Sequence, residues 1–228
     1  MLTARSLLVL FLHVSLAAAE DITWLVSYDA KSLPSEPWKV TGTPKATLEA
    51  EGLRVQLCGR EWARGLFAPP AVLAGDTIVL RREAMARWLW EKFEVFGLKR
   101  ADGPFKAVAQ AYDLERDFLA GLPRMLDEQA ETLILHEIGE HRAGRRLGPA
   151  WGEMLLALDD RRTELLLRAV RDHLADLGTT LPALLEREEA VSLHFWFAGY
   201  EGVRRQLFPG LADAYRAWCD GLGTAALA

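Results

Sequence analysis

The residues of this chain best suited to chemistry lie together in one short run, Leu135-His136-Glu137-Ile138-Gly139-Glu140-His141. Two imidazoles and two carboxylates fall within six positions. On a helix, His136 and Glu140 are four residues apart and share a face, as do Glu137 and His141. All four side chains then fit in an arc of about 140°. Imidazole and carboxylate together suit iron, zinc, manganese or copper, and no thiolate is present to narrow the choice. In that chemistry His136, Glu140 and His141 are metal ligands, and Glu137 is a ligand or a proton-transfer base, the candidate catalytic residue. Gly139 disfavours the helix by about 1 kcal/mol relative to Ala. A glycine there points to a close backbone neighbour or a bound group.

The spacing departs from known metal patterns. The zinc-hydrolase pattern HExxH has its second His four residues after the first. Here position 140 is Glu and the second His comes five residues on, about 140° around the helix. The di-iron bundle pattern ExxH does not occur. His136-x-x-x-Glu140 resembles the HxxxE ligand pair of the hemerythrins over those two residues alone, without the HxxxH that should follow on the next helix.

A metal site in a helical protein needs further ligands from other helices. The fourth expected helix offers His173 and Asp176, three apart on one face, and the fifth offers His194 and Glu201, seven apart. His173 and His194 therefore join the candidate ligand set. A carboxylate can instead orient a histidine from behind it. A second reading makes the cluster a structural polar network: Arg142, Arg145 and Arg146 follow at once and suit a salt-bridged face. His173 then serves a helix C-terminus and His194 an aromatic core. In this reading the protein is a non-enzymatic module binding a protein partner or small ligand through its β front and its aromatic surface, where Trp196 and Tyr200 would line a groove. Whether the chain is an enzyme stays open between the two.

The elements that must position these residues are mostly helical. Apolar positions recur with helical period from residue 81. Breakers divide that stretch into helices ending before 101–104, then at 105–119, 121–147 and 149–177, a fifth running from a cap at 179–182 to 208, and a short sixth over 211–220. Before residue 81, stretches 22–28, 38–41, 46–49, 53–58 and 77–80 read as strands, with 46–49 and 53–58 as the arms of a hairpin turned at Glu51-Gly52. Leu53, Val55 and Leu57 alternate with Arg54, Gln56 and Cys58, which predicts one buried face. The expected fold class is α+β: a small N-terminal antiparallel β element over residues 20–80, followed by a mostly antiparallel helical bundle of five to six helices over 81–228. The strand spacing is similar to part of a carbohydrate-binding β-sandwich, and Trp24, Trp38 and Trp62 could stack on sugars. Some 60 residues, however, fall short of the ~100 a sandwich needs.

Residues 1–19 carry Arg5, an apolar run and an Ala-x-Ala end, the pattern of a signal peptide cleaved after Ala19, and predict a secreted or periplasmic protein. The run is shorter than the ~20 residues a bilayer needs, and no later segment approaches it, so no membrane span is expected after cleavage. The chain has 228 residues, 50% hydrophobic and 26% charged, with a net charge of −5. This is a globular composition that speaks against nucleic acid as partner. Cys58 and Cys219 are the two cysteines and fit either a disulfide or two free thiols.

Overall fold

In the computed structural model, residues 52–58, 69–99 and 102–227 are described. The expected signal peptide, the strands before residue 50 and the tryptophans at 24, 38 and 62 lie outside them. The chain divides into two compact units, Met1–Trp90 and Glu91–Ala228. The class is α+β, mostly helical with a small three-stranded sheet among the described residues.

The sheet is formed by β1 (Arg54–Cys58), β2 (Ala71–Ala74) and β3 (Thr77–Arg81), in the order β1-β3-β2. Gly75, at φ +61°, makes the tight turn between β2 and β3, which pair antiparallel. The sequence predicts an antiparallel element, but the sheet is mixed. Strand β1 pairs with β3 in parallel, Arg54 opposite Thr77 and Cys58 opposite Arg81. The start of that register is pinned by Asp76, which accepts from the Arg54 guanidinium at 3.1 Å and the Thr77 hydroxyl at 2.9 Å. Strand β3 is central, so Ile78, Val79 and Leu80 are buried as a continuous apolar run. The buried end of β1 is Cys58, packed with Val79, so the predicted alternation does not hold along the whole strand. Cys219 is exposed, and neither cysteine is in a disulfide among the described residues.

Helix α1 is Arg82–Lys99 and α2 is Pro104–Ala111. The long helix α3 (Phe118–Leu147) begins where Asp117 accepts from the Ala120 N–H at 3.0 Å, and it ends at Gly148, at φ +77°. The expected helix 149–177 is two helices, α4 (Ala150–Leu156) and α5 (Arg161–Ala175). The break occurs because Asp160 caps a new start, accepting from the N–H groups of Arg162 and Thr163.

The expected stop at Gly178 and restart at Thr179–Pro182 do not occur. The chain passes through a π turn, Asp176–Thr180, directly into α6 (Leu181–Glu186). The Leu181 N–H bonds the Asp176 carbonyl five residues back, one position ahead of Pro182, which has no N–H to offer. The expected fifth helix is likewise divided, into α6, α7 (Ala190–Ala198) and α8 (Gly202–Leu207), and α9 (Pro209–Ala217) follows. Leu135 of α3, Leu193, Trp196 and Phe197 of α7, and Leu211 and Tyr215 of α9 form a common core.

No helix among the described residues is long and apolar enough to cross a membrane.

Candidate metal centre

Helix α3 meets the end of α5 at unusually close range. A Cβ at Gly139 would stand 2.5 Å from the Ala175 carbonyl oxygen, so only glycine allows this approach. The close neighbour expected of Gly139 is therefore the backbone at the entry to the π turn. The approach brings together two pairs of polar residues at four-residue spacing: His136 and Glu140 on α3, and Asp172 on α5 with Asp176 at the start of the π turn.

Asp176 is fully buried and accepts from three donors. The His136 Nδ1 lies 2.8 Å from its Oδ1, the Trp196 indole N–H donates to the same oxygen at 3.1 Å, and Arg204 of α8 pairs with Oδ2. Burial alone would raise its pKa, but His136, Arg204 and the indole N–H hold it below the usual carboxylate value. The Arg204 guanidinium also stands 5.4 Å from the Trp196 ring and 5.7 Å from Tyr200, which stack at 5.2 Å.

Because Nδ1 is committed to Asp176, the Nε2 of His136 is the ring atom left for other chemistry. It lies 3.8 Å from the Glu140 carboxylate. Burial would lower the His136 pKa, yet the carboxylates of Asp176, Glu140 and Glu137 raise it to about 9. Glu140 also accepts from Arg171 at 2.6 Å. Asp172 is partly buried. Burial pushes its pKa up and Glu140 adds to this, against the pull of His136, Arg204 and Arg171. One ligand atom each from His136, Glu140 and Asp172 lies within 4.8 Å of the others. Ligands about 2.1 Å from one ion stand roughly 3–3.5 Å apart, so modest side-chain rotation would close this trio on a cation.

Of the residues singled out from sequence, His136 and Glu140 meet in the cluster. Glu137 is buried and acts on the charge of His136 without belonging to the trio. His141 lies one residue further along α3, outside the trio. His173 turns elsewhere: its Nε2 lies 2.9 Å from the Arg204 carbonyl oxygen, and its ring meets Tyr200 and Phe208 edge-on. It anchors α8, and with it the arginine on Asp176. His194 is in the aromatic core, its Nδ1 2.7 Å from the Tyr215 hydroxyl and its ring 4.9 Å from Trp218, and burial lowers its pKa. Asp172, Arg171 and Arg204 are the members that sequence reasoning missed. The signal for Asp172 was present, since Asp172-x-x-x-Asp176 repeats the four-residue spacing of His136-x-x-x-Glu140. The arginines carried none, because their roles depend on which helices meet.

No curated protein and no solved structure matches the chain. Every residue of the cluster falls within residues 86–228, which match the C-terminal domain of a family of unknown function (DUF6866), and the chain belongs to that family.

Proposed function

We propose that the helical unit binds a divalent transition metal through His136 Nε2, Glu140 and Asp172. The observation that carries this reading is a single imidazole among three carboxylates, with Asp176 on its Nδ1, Glu140 towards its Nε2, and Asp172 within 4.8 Å of the ligand atoms of His136 and Glu140. A metal-binding histidine usually donates its second ring N–H to a carboxylate, which fixes the tautomer and makes the ligating nitrogen more basic. Asp176 is that carboxylate, and Trp196 and Arg204 hold it in place.

One imidazole and two carboxylates suit iron, manganese or zinc, and also copper. Three protein ligands leave coordination positions open, the condition for Lewis-acid chemistry. Glu137, buried and raising the His136 pKa, is then a tuning charge rather than a base.

Elemental analysis of protein purified without a metal-affinity tag tests the proposal, beside His136→Gln and Asp172→Asn. Near-stoichiometric metal in the parent, lost in both variants, is the expected result. Protein that takes up none of the four metals on incubation would overturn it. The second reading, a structural polar network in a partner-binding module, is favoured by Asp176, which accepts three hydrogen bonds from protein donors and needs no ion. It predicts the metal-free outcome together with undiminished folding.

We also propose, from the N-terminal pattern alone, that residues 1–19 are removed and that the mature protein begins at Glu20 outside the cytoplasm. Intact mass of the exported protein checks that placement, and a retained residue 1–19 segment would contradict it.

A further inference from the structure

Two guanidinium groups flank the trio, and each leaves a donor unused. Arg171 gives one terminal nitrogen to Glu140, while its Nε is buried with no hydrogen-bond partner. Arg204 gives a terminal nitrogen to Asp176, and its Nε is likewise buried and unpartnered. Buried N–H groups on charged side chains are costly to leave without an acceptor and are paired in most structures. Both orphaned donors belong to cations beside the same three ligand residues, and both cations act on the charge of Asp172. The side chains of His136, Glu140, Arg171 and Arg204 are each 16–26% exposed, so none of the four is sealed from solvent.

We infer that the centre takes a small oxyanion, a phosphate or a carboxylate, as an exogenous ligand of the metal, with Arg171 as its main protein contact and Arg204 as a second. The inference rests on the metal-binding reading above. Guanidinium is the side chain whose fork matches carboxylate and phosphate oxygens, and a trio of protein ligands leaves the metal room for an oxygen donor. The metal and Arg171 then hold the anion from two sides. Behind them the Asp176 carboxylate stays committed to His136, Trp196 and Arg204, so it does not repel the anion at close range. The ligand must be small, since the neighbouring Trp196 and Tyr200 are buried and packed against Arg204.

The test uses the full chain loaded with cobalt(II), whose visible absorption reports its coordination. Inorganic phosphate and acetate are titrated separately, with chloride as control. Saturable spectral change with phosphate or acetate at millimolar concentration or below, and none with chloride, is expected, and the tighter of the two assigns the class of oxyanion. Arg171→Gln should weaken that response tenfold or more while cobalt is still bound. Arg171→Lys, which keeps the charge and loses the fork, should fall between them and serves if the glutamine variant fails to fold. Cobalt bound through His136 but indifferent to both anions, or an Arg171→Gln response equal to the parent's, would overturn the inference and leave the metal site standing. Failure to bind cobalt at all would overturn both.

Discussion

His136 and His194 belong to the same helical unit, and each has its Nδ1 within hydrogen-bond distance of a side-chain oxygen, 2.8 Å from Asp176 and 2.7 Å from Tyr215. Their protonation is driven in opposite directions. Around His136 three carboxylates outweigh burial and raise the pKa to about 9. Around His194 the neighbours are Tyr215 and Trp218, and burial lowers it. The distance to the partner is the same, so the difference lies in the partner's charge. A phenol satisfies a ring nitrogen without favouring the imidazolium, whereas a buried carboxylate favours it strongly. One region is built to hold positive charge on its imidazole, and the other to pack.

The strongest test of this contrast removes the charge behind His136. Asp176→Ala leaves His136, Arg204 and the Trp196 N–H without their acceptor and should lower stability by about 3–5 kcal/mol in urea denaturation. A loss no larger than that from trimming the His194 region would break the comparison. Next in size is Gly139→Ala. The new methyl would press on the Ala175 backbone, which cannot rotate away, so about 3 kcal/mol of stability should be lost. Metal uptake should fall with it, because α3 and α5 are forced apart.

Smaller again is the pH dependence of the metal-free protein, followed by NMR of the imidazoles. His136 is raised above its unfolded value of about 6.5, so its contribution is full below that pH and is lost as pH rises through about 9. His194 is lowered, so its contribution is full above about 6.5 and is lost as pH falls below it. Asp176 is lowered too, so its share holds above about 3.9 and disappears in acid. At pH 7.5 the two rings should report opposite states, and two neutral rings would contradict the site as described. Smallest is Tyr215→Phe, which removes one neutral hydrogen bond to His194. It should cost about 1 kcal/mol and leave metal content unchanged.

Much of the site's first half was legible because it is local. His136 and Glu140 share one helix, and their common face follows from the helical period alone. Gly139 signalled a close neighbour for the same reason, as a residue that a solvated helix has no cause to prefer. The other half lies some 30 or more positions away in the chain. Asp172 and Asp176 could be noticed as a spaced pair, yet nothing local says that their helix crosses α3 at residue 139. His173 shows the converse. It has helical spacing and a ligand's chemistry, but its ring lies against Tyr200, Phe208 and the Arg204 carbonyl. The helix boundaries failed where side chains override the backbone signal. Asp160 starts a helix inside an apolar-periodic stretch, and a π turn carries the chain through Gly178 and up to Pro182 where an end was expected.

By itself the amino-acid order determined the helical class, the face on which His136 and Glu140 stand, and the need for a close contact at Gly139. These depend on spacing along one helix, where geometry repeats every few residues. Tertiary structure alone decided that a parallel strand pairs with β3, that Asp176 backs His136, that Asp172 completes the trio, and that His194 belongs to the core. Each of those depends on which surfaces meet across long sequence separations. That choice is made by packing and by the satisfaction of buried charge, and no local period encodes it.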